Sequence, residues 1–242
     1  MSFEIIILSS LVIFVGALVQ SLIGFGMAVV STPLLYLIEP ALVPAPVIIM
    51  GFSTALLTLF REGRGLEFSP LQYALLGRIP GGILGAILLL VAPQPLLGLA
   101  IAAIVALAVT LSIFRFSLPI NRRTLFGAGI ISGIFGNIAA IGGPPMAILL
   151  AGKDPKLFRA ALSAFFIFSS LIALIILGFA GLITKWHFTI SLIFLPAVFL
   201  GYLLANRLVG HIDKQRVRSV TLLLCGLSAL LLTGKSLLAL FG

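Results

Sequence analysis

Gly133-Ile-Phe-Gly-Asn137-Ile-Ala-Ala-Ile-Gly142-Gly143-Pro144-Pro145 cuts through a long apolar run, and the chain holds a second version of it, Gly16-Ala-Leu-Val-Gln20-Ser21-Leu-Ile-Gly24-Phe25-Gly26. Gly16 pairs with Gly133, Gln20 with Asn137 and Gly26 with Gly143, each pair 117 residues apart. Pro80 and Gly85 pair with Pro196 and Gly201 at a spacing of 116. The same helix-breaking motif in both halves of an apolar chain predicts internal structural repeats, residues 1–118 and 119–242, within one membrane domain.

Composition sets the class. With 61% hydrophobic and 9% charged residues among 242, and a mean hydropathy of +1.32, the chain has more apolar surface than a water-soluble fold hides. It reads as an all-α polytopic membrane protein. Its apolar runs are too long and uniform for the alternating pattern of a membrane barrel. The net charge of +9 comes from Lys and Arg placed between apolar runs, so it speaks of topology and not of nucleic acid. The single cysteine, Cys225, excludes an intramolecular disulfide and sits in an apolar run as a structural thiol. Glu4 and no basic residue precede the first run, which argues against a cleaved signal and predicts a retained span.

Apolar runs between charged, Pro and Gly breaks fall into two sets of four long segments. The first set is Ile5 to Ile23, Leu42 to Phe60, Leu71 to Val91 and Leu96 to Phe114; the second is Leu125 to Ile141, Leu157 to Leu182, Phe188 to Ala205 and Val217 to Leu232. After the first member of each set comes a shorter piece, Met27 to Ile38 and Met146 to Gly152, too short to span comfortably. If only the long segments cross, the basic residues divide eight to seven between the two sides. If each short piece cancels the segment before it, by crossing back or by re-entering, the division becomes 13 to 2, with only Lys185 and Lys235 outside. The accumulation of Lys and Arg in cytoplasmic loops selects the second arrangement. Both termini then lie on the non-cytoplasmic side, and the odd parity of each half makes the two copies inverted repeats. Trp186 and His187, beside Lys185, suit the interfacial belt as anchors.

A helix break at membrane depth is tolerated only where protein or a watery cavity covers the freed backbone groups. The short segments beginning near Gly26 and Pro144 are expected to aim N-terminal amides into such a cavity, an anion site. Inverted repeats would bring Gln20, Ser21, Gly24 and Gly26 opposite Asn137, Gly142, Gly143 and Pro144, where the two side-chain amides can donate to oxygens without adding charge. The competing reading makes the glycines packing contacts and the amides interhelical glue. Arg78 lies about seven residues into its span, and its counterpart is Leu195. Burying a guanidinium there costs about 2.5 to 3.5 kcal/mol, so it either faces a polar cavity or snorkels to the surface. Ser53 and Thr54, with Ser169 and Ser170 in the second half, are further candidates to line the cavity, against the usual habit of such hydroxyls of bonding their own helix. All six acids lie at or near span ends, which leaves no intramembrane proton relay. The chain offers no metal-ligand cluster, cofactor motif, nucleophile–base pair or phosphate-binding loop, so enzyme function is not expected.

The paired motifs, Gly16 to Leu35 and Gly133 to Ala151, with Gly142-Gly143-Pro144-Pro145 as their most specific part, resemble the signatures of the TauE/SafE family of membrane permeases. The resemblance spans nearly the whole chain and implies transport, commonly outward, of small sulfur-containing anions such as sulfite or organosulfonates. It carries over Gln20, Gly24, Gly26, Asn137, Gly142, Gly143 and Pro144 as site residues. Phe25, between two glycines where many members have a longer glycine run, departs from the pattern. The expected partners are therefore a small anion and the lipid bilayer. A passive anion channel of the same fold and a non-transporting membrane scaffold are the alternatives.

Overall fold

The computed structural model describes residues 1–63, 71–113, 119–150, 152, 154–209, 211 and 214–241. Arg64, Glu67, Arg115, Lys153 and Asp213, which enter the charge and acid counts above, lie outside the described residues, as does Ala151 at the end of the second motif. Ten α-helices follow in order: α1 Phe3–Ile23, α2 Met27–Ile38, α3 Ala45–Glu62, α4 Leu71–Val91, α5 Gln94–Ile113, α6 Arg122–Ala139, α7 Gly143–Leu149, α8 Pro155–Phe179, α9 Lys185–Leu208 and α10 Lys214–Phe241. Each half of this series reads long, short, long, long, long. Seven of the eight long helices have the length and apolarity to cross a membrane. The eighth, α6, has 18 residues but starts on Arg122 and Arg123 and contains four glycines, which dilute its apolar character.

Several boundaries differ from the sequence expectation for local reasons. α3 begins at Ala45, not Leu42, because Pro40–Leu42 forms a separate 3-10 turn before it. α6 stops two residues early, since Ala140 takes a left-handed conformation at φ 59°. α7 starts at Gly143, not Met146, because proline is welcome in a first turn, where its missing N–H would have no partner. α10 runs on to Phe241, well past Leu232, as nothing in its sequence breaks it.

Side-chain contacts place the helix ends. Arg159 at the start of α8 pairs with Glu62 at the end of α3, Arg61 bonds Asn206 near the end of α9, and Arg218 near the start of α10 bonds the carbonyl of Ser112 near the end of α5. Arg122 at the start of α6 lies over the Tyr73 ring at the start of α4. These ends share one face of the bundle. On the other face, Tyr36 near the end of α2 bonds the Gln94 carbonyl at the start of α5, 2.7 Å, and Lys235 reaches Leu37, 3.1 Å. The 12 residues of α2, about 18 Å of helix, thus return the chain toward the face where α1 began.

The packing pairs have a symmetry of their own. α4 lies along α6 as α1 lies along α9; α3 packs on α8 and α5 on α10; α1 with α2 matches α6 with α7, and α2 with α10 matches α7 with α5. Exchanging the halves maps each of these pairs onto another or onto itself. The α4–α6 seam is the closest, because Gly77, Gly81 and Gly85 lie against the backbone of Phe126, Ile130 and Ile134 while Gly129 and Gly133 lie against that of Ala74 and Gly81, and the two backbones touch.

Candidate functional site

The two helix breaks meet around one cavity. Gly24 and Gly26 both take positive φ, 104° and 117°, a conformation that needs glycine, and they turn the chain from α1 into α2. Thr32 on α2 donates to the Ala139 carbonyl at 2.7 Å, satisfying an acceptor that the second break frees at the end of α6. Between the breaks lies a cavity of about 40 Å³, lined by Gln20, Phe25, Gly26, Ala28, Val29, Val47, Ile48, Gly51, Arg78, Ala140, Ile141, Gly142, Gly143, Phe166, Ser169 and Ser170. That is room for a very small ligand, since a single water already needs about 10 to 15 Å³ on this measure.

Among the described residues Arg78 is the only charged group on this wall. It is 3% exposed, so it stays inside and does not snorkel to the surface. Its Nε donates to the Ser169 carbonyl on α8 at 3.1 Å. Its Nη1 donates to the Ser132 carbonyl and, at 3.1 Å, to the Ser132 hydroxyl on α6. Ser132 in turn donates to the Gly142 carbonyl at 2.7 Å, which ties the guanidinium to the second break. Among the described residues Nη2 has no hydrogen-bond partner, and the ion pairs are Arg61–Glu62 and Arg159–Glu62, neither involving Arg78. A buried guanidinium held by neutral acceptors keeps its full charge uncompensated, a costly state that an anion in the cavity would relieve.

The remaining candidates divide. Gln20 is nearly buried and reaches across the cavity to the Gly51 carbonyl, 3.2 Å from its Nε2. Gly26, Gly142, Gly143, Ser169 and Ser170 line the wall with it. Asn137 does not. It is fully buried and donates to the Gly82 carbonyl at 2.9 Å, while its Oδ1 has no partner. Ser21 turns its hydroxyl into a buried spot without a partner, and its carbonyl accepts from Arg61 at 2.8 Å. Gly24 lies against Arg159, whose Cγ is 2.7 Å from where a glycine substituent would stand. Pro144 is buried in the first turn of α7, away from the wall. Ser53 and Thr54 bond their own helix, to Ile49 and Met50, each at 2.9 Å. Trp186 and His187 stack edge-on at 5.1 Å at the start of α9, and His187 closes a capping box with Thr184.

Sequence reading passed over Ser132, Gly51 and Phe166. Ser132 offered a signal, a lone hydroxyl beside Gly133 at the head of the repeated motif. Gly51 and Phe166 offered none, because only the rotation of α3 and α8 decides that they face inward.

Neither a curated protein nor a solved structure matches the chain. The sequence profile described as Sulfite exporter TauE/SafE, a family of membrane transporters and not of enzymes, matches residues 9–232. A multi-pass helical chain matched over nearly its whole length, with its two glycine motifs folded around the buried Arg78, belongs to the sulfite exporter TauE/SafE family.

Proposed function

We propose that the protein is a secondary transporter that carries a small sulfur oxyanion, such as sulfite or a short organosulfonate, outward across the cytoplasmic membrane. The cavity between the two breaks is its site. The observation that carries this reading is Arg78, buried and lining the cavity, with no counter-charge and no hydrogen-bond partner for Nη2 among the described residues. In the bound state Nη2 donates to an anion oxygen, the first-turn amides of α2 turn their positive dipole end toward it, and Gln20 adds a neutral donor. Phe25, Phe166, Val47 and Ile48 close the rest of the wall and favour a compact anion over a hydrated one.

The halves, residues 1–118 and 119–242, act as inverted repeats that rock about this site. The exchange symmetry of the helix pairs supports this, as does the start of α1 and α6 on opposite faces. The face that gathers Arg61, Arg122, Arg159, Arg207 and Arg218 is the cytoplasmic one by the distribution of basic residues.

The test is counterflow of radiolabelled sulfite in proteoliposomes. Saturable exchange that Arg78→Gln lowers at least about tenfold is expected, the loss of one charge-assisted hydrogen bond and the charge behind it. Non-saturating flux would make the protein a channel, and unchanged exchange in Arg78→Gln would remove the site.

A further inference from the structure

Two further cavities continue the central one toward the basic face. The outermost, about 240 Å³, is lined by Leu22, Ile23, Pro155, Phe158, Arg159, Gln215 and Arg218, and Pro155 and Gln215 on its rim are exposed. A small one of about 20 Å³ shares Ile23 and Arg218 with it, and shares Phe25, Gly26 and Val29 with the central cavity. The three therefore form a row, partitioned by the Ile23 and Phe25 side chains, both half-buried.

The outer cavity carries surplus positive charge. Glu62 accepts from Arg159 Nε at 2.6 Å and from Arg61 at 2.9 Å, so one carboxylate serves two guanidiniums. Asp154, at the head of α8, accepts from the amides of Lys156 and Leu157. Among the described residues the Nη groups of Arg159 have no partner and the partner of Arg218 is the neutral Ser112 carbonyl. A cleft with two such arginines on low-dielectric walls concentrates anions. Phe25 stands between Gly24 and Gly26, both at positive φ, in the turn between α1 and α2, and lines the middle and the central cavities alike.

From this geometry we propose that the Arg159–Arg218 cavity is an entry vestibule that collects oxyanions from the basic face, and that Phe25 is the gate between it and Arg78. The proposal rests on the transport reading above and adds a route to it. The chain supplies its own reporter, since Cys225, its only cysteine, lines the small middle cavity and is fully buried. Its modification reads passage through the vestibule without requiring transport.

The experiment treats membrane vesicles from each side with the anionic 2-sulfonatoethyl methanethiosulfonate and with its cationic trimethylammonium analogue. The anionic reagent is expected to modify Cys225 from the basic face and not from the other. Arg218→Gln should slow it at least about fivefold while sparing the cationic reagent, and Arg218→Lys should restore the wild-type rate. Phe25→Ala should raise sulfite counterflow several-fold and Phe25→Trp should lower it. Equal effects of Arg218→Gln on both reagents, or no modification of the folded protein from the basic face, would overturn the vestibule; counterflow indifferent to residue 25 would overturn the gate. Loss of the Arg78 site shows instead as wild-type counterflow in Arg78→Gln, which leaves the Cys225 rates untouched.

Discussion

Gln20 and Asn137 occupy matched places in the two motifs, yet only Gln20 reaches the cavity. The difference lies in their neighbours. Gly82 on α4 leaves a gap that the Asn137 amide fills, whereas its counterpart 116 residues on is Val198, whose side chain occupies that place on α9. A sequence names the amides but not the helix rotation that spends one of them on packing. Asn137→Ala is accordingly expected to lower stability by about 0.6 to 1.7 kcal/mol, the worth of an interhelical bond in a membrane, seen as an earlier thermal transition. It should leave the apparent affinity for sulfite unchanged, while Gln20→Ala should raise the half-saturating concentration several-fold. Gly51 gives a sharper probe of the wall. A methyl there meets nothing within 4 Å and projects from a helix that lines the cavity. Gly51→Ala should hold or raise the thermal transition, because Ala is favoured over Gly in a helix by about 0.5 to 1 kcal/mol, and should still weaken anion binding by narrowing the space. A binding titration beside the melting curve separates the two effects.

The elements were largely legible because their signals are local. Apolar runs and Pro–Gly breaks mark eight long helices and two short ones, and the prolines at 144 and 145 start a helix as readily as they end one. The α4–α6 seam was not legible, since the repeated Gly-x3-Gly spacing at Gly77, Gly81 and Gly85 shows a small-residue face without showing what lies against it. In place, a methyl on Gly81 would fall 2.8 Å from the Ile130 Cα, which is backbone and cannot turn aside. Gly81→Ala should therefore cost at least about 1 to 3 kcal/mol, the usual penalty of overpacking, and shift Arg78 with α4. Gly178→Ala, at a position with open space around it, is the control. Expression level and the detergent melting temperature report the outcome: a loss in the first variant with none in the second places the seam at the heart of assembly.

At the scale of the whole molecule, the described charges are divided between the helix ends and one buried position. The described acids, Glu4, Glu39, Glu62 and Asp154, all sit at helix ends, and Arg78 is the charge within the central cavity. Among the described residues no carboxylate lines the cavity, so the proposed carrier would draw on the membrane potential and not on a bound proton. For a monovalent sulfonate the potential contributes about 2.3 kcal/mol per 100 mV, a concentration ratio of about 50-fold since 1.4 kcal/mol is a factor of ten. In proteoliposomes with a potassium diffusion potential, accumulation of such an anion should follow the potential toward that ratio and stay level when a pH gradient alone is imposed. Accumulation driven by the pH gradient at zero potential would require a proton site. Such a site would have to be built from groups other than these helix-end acids, which would contradict a cavity whose one charge among the described residues is a guanidinium.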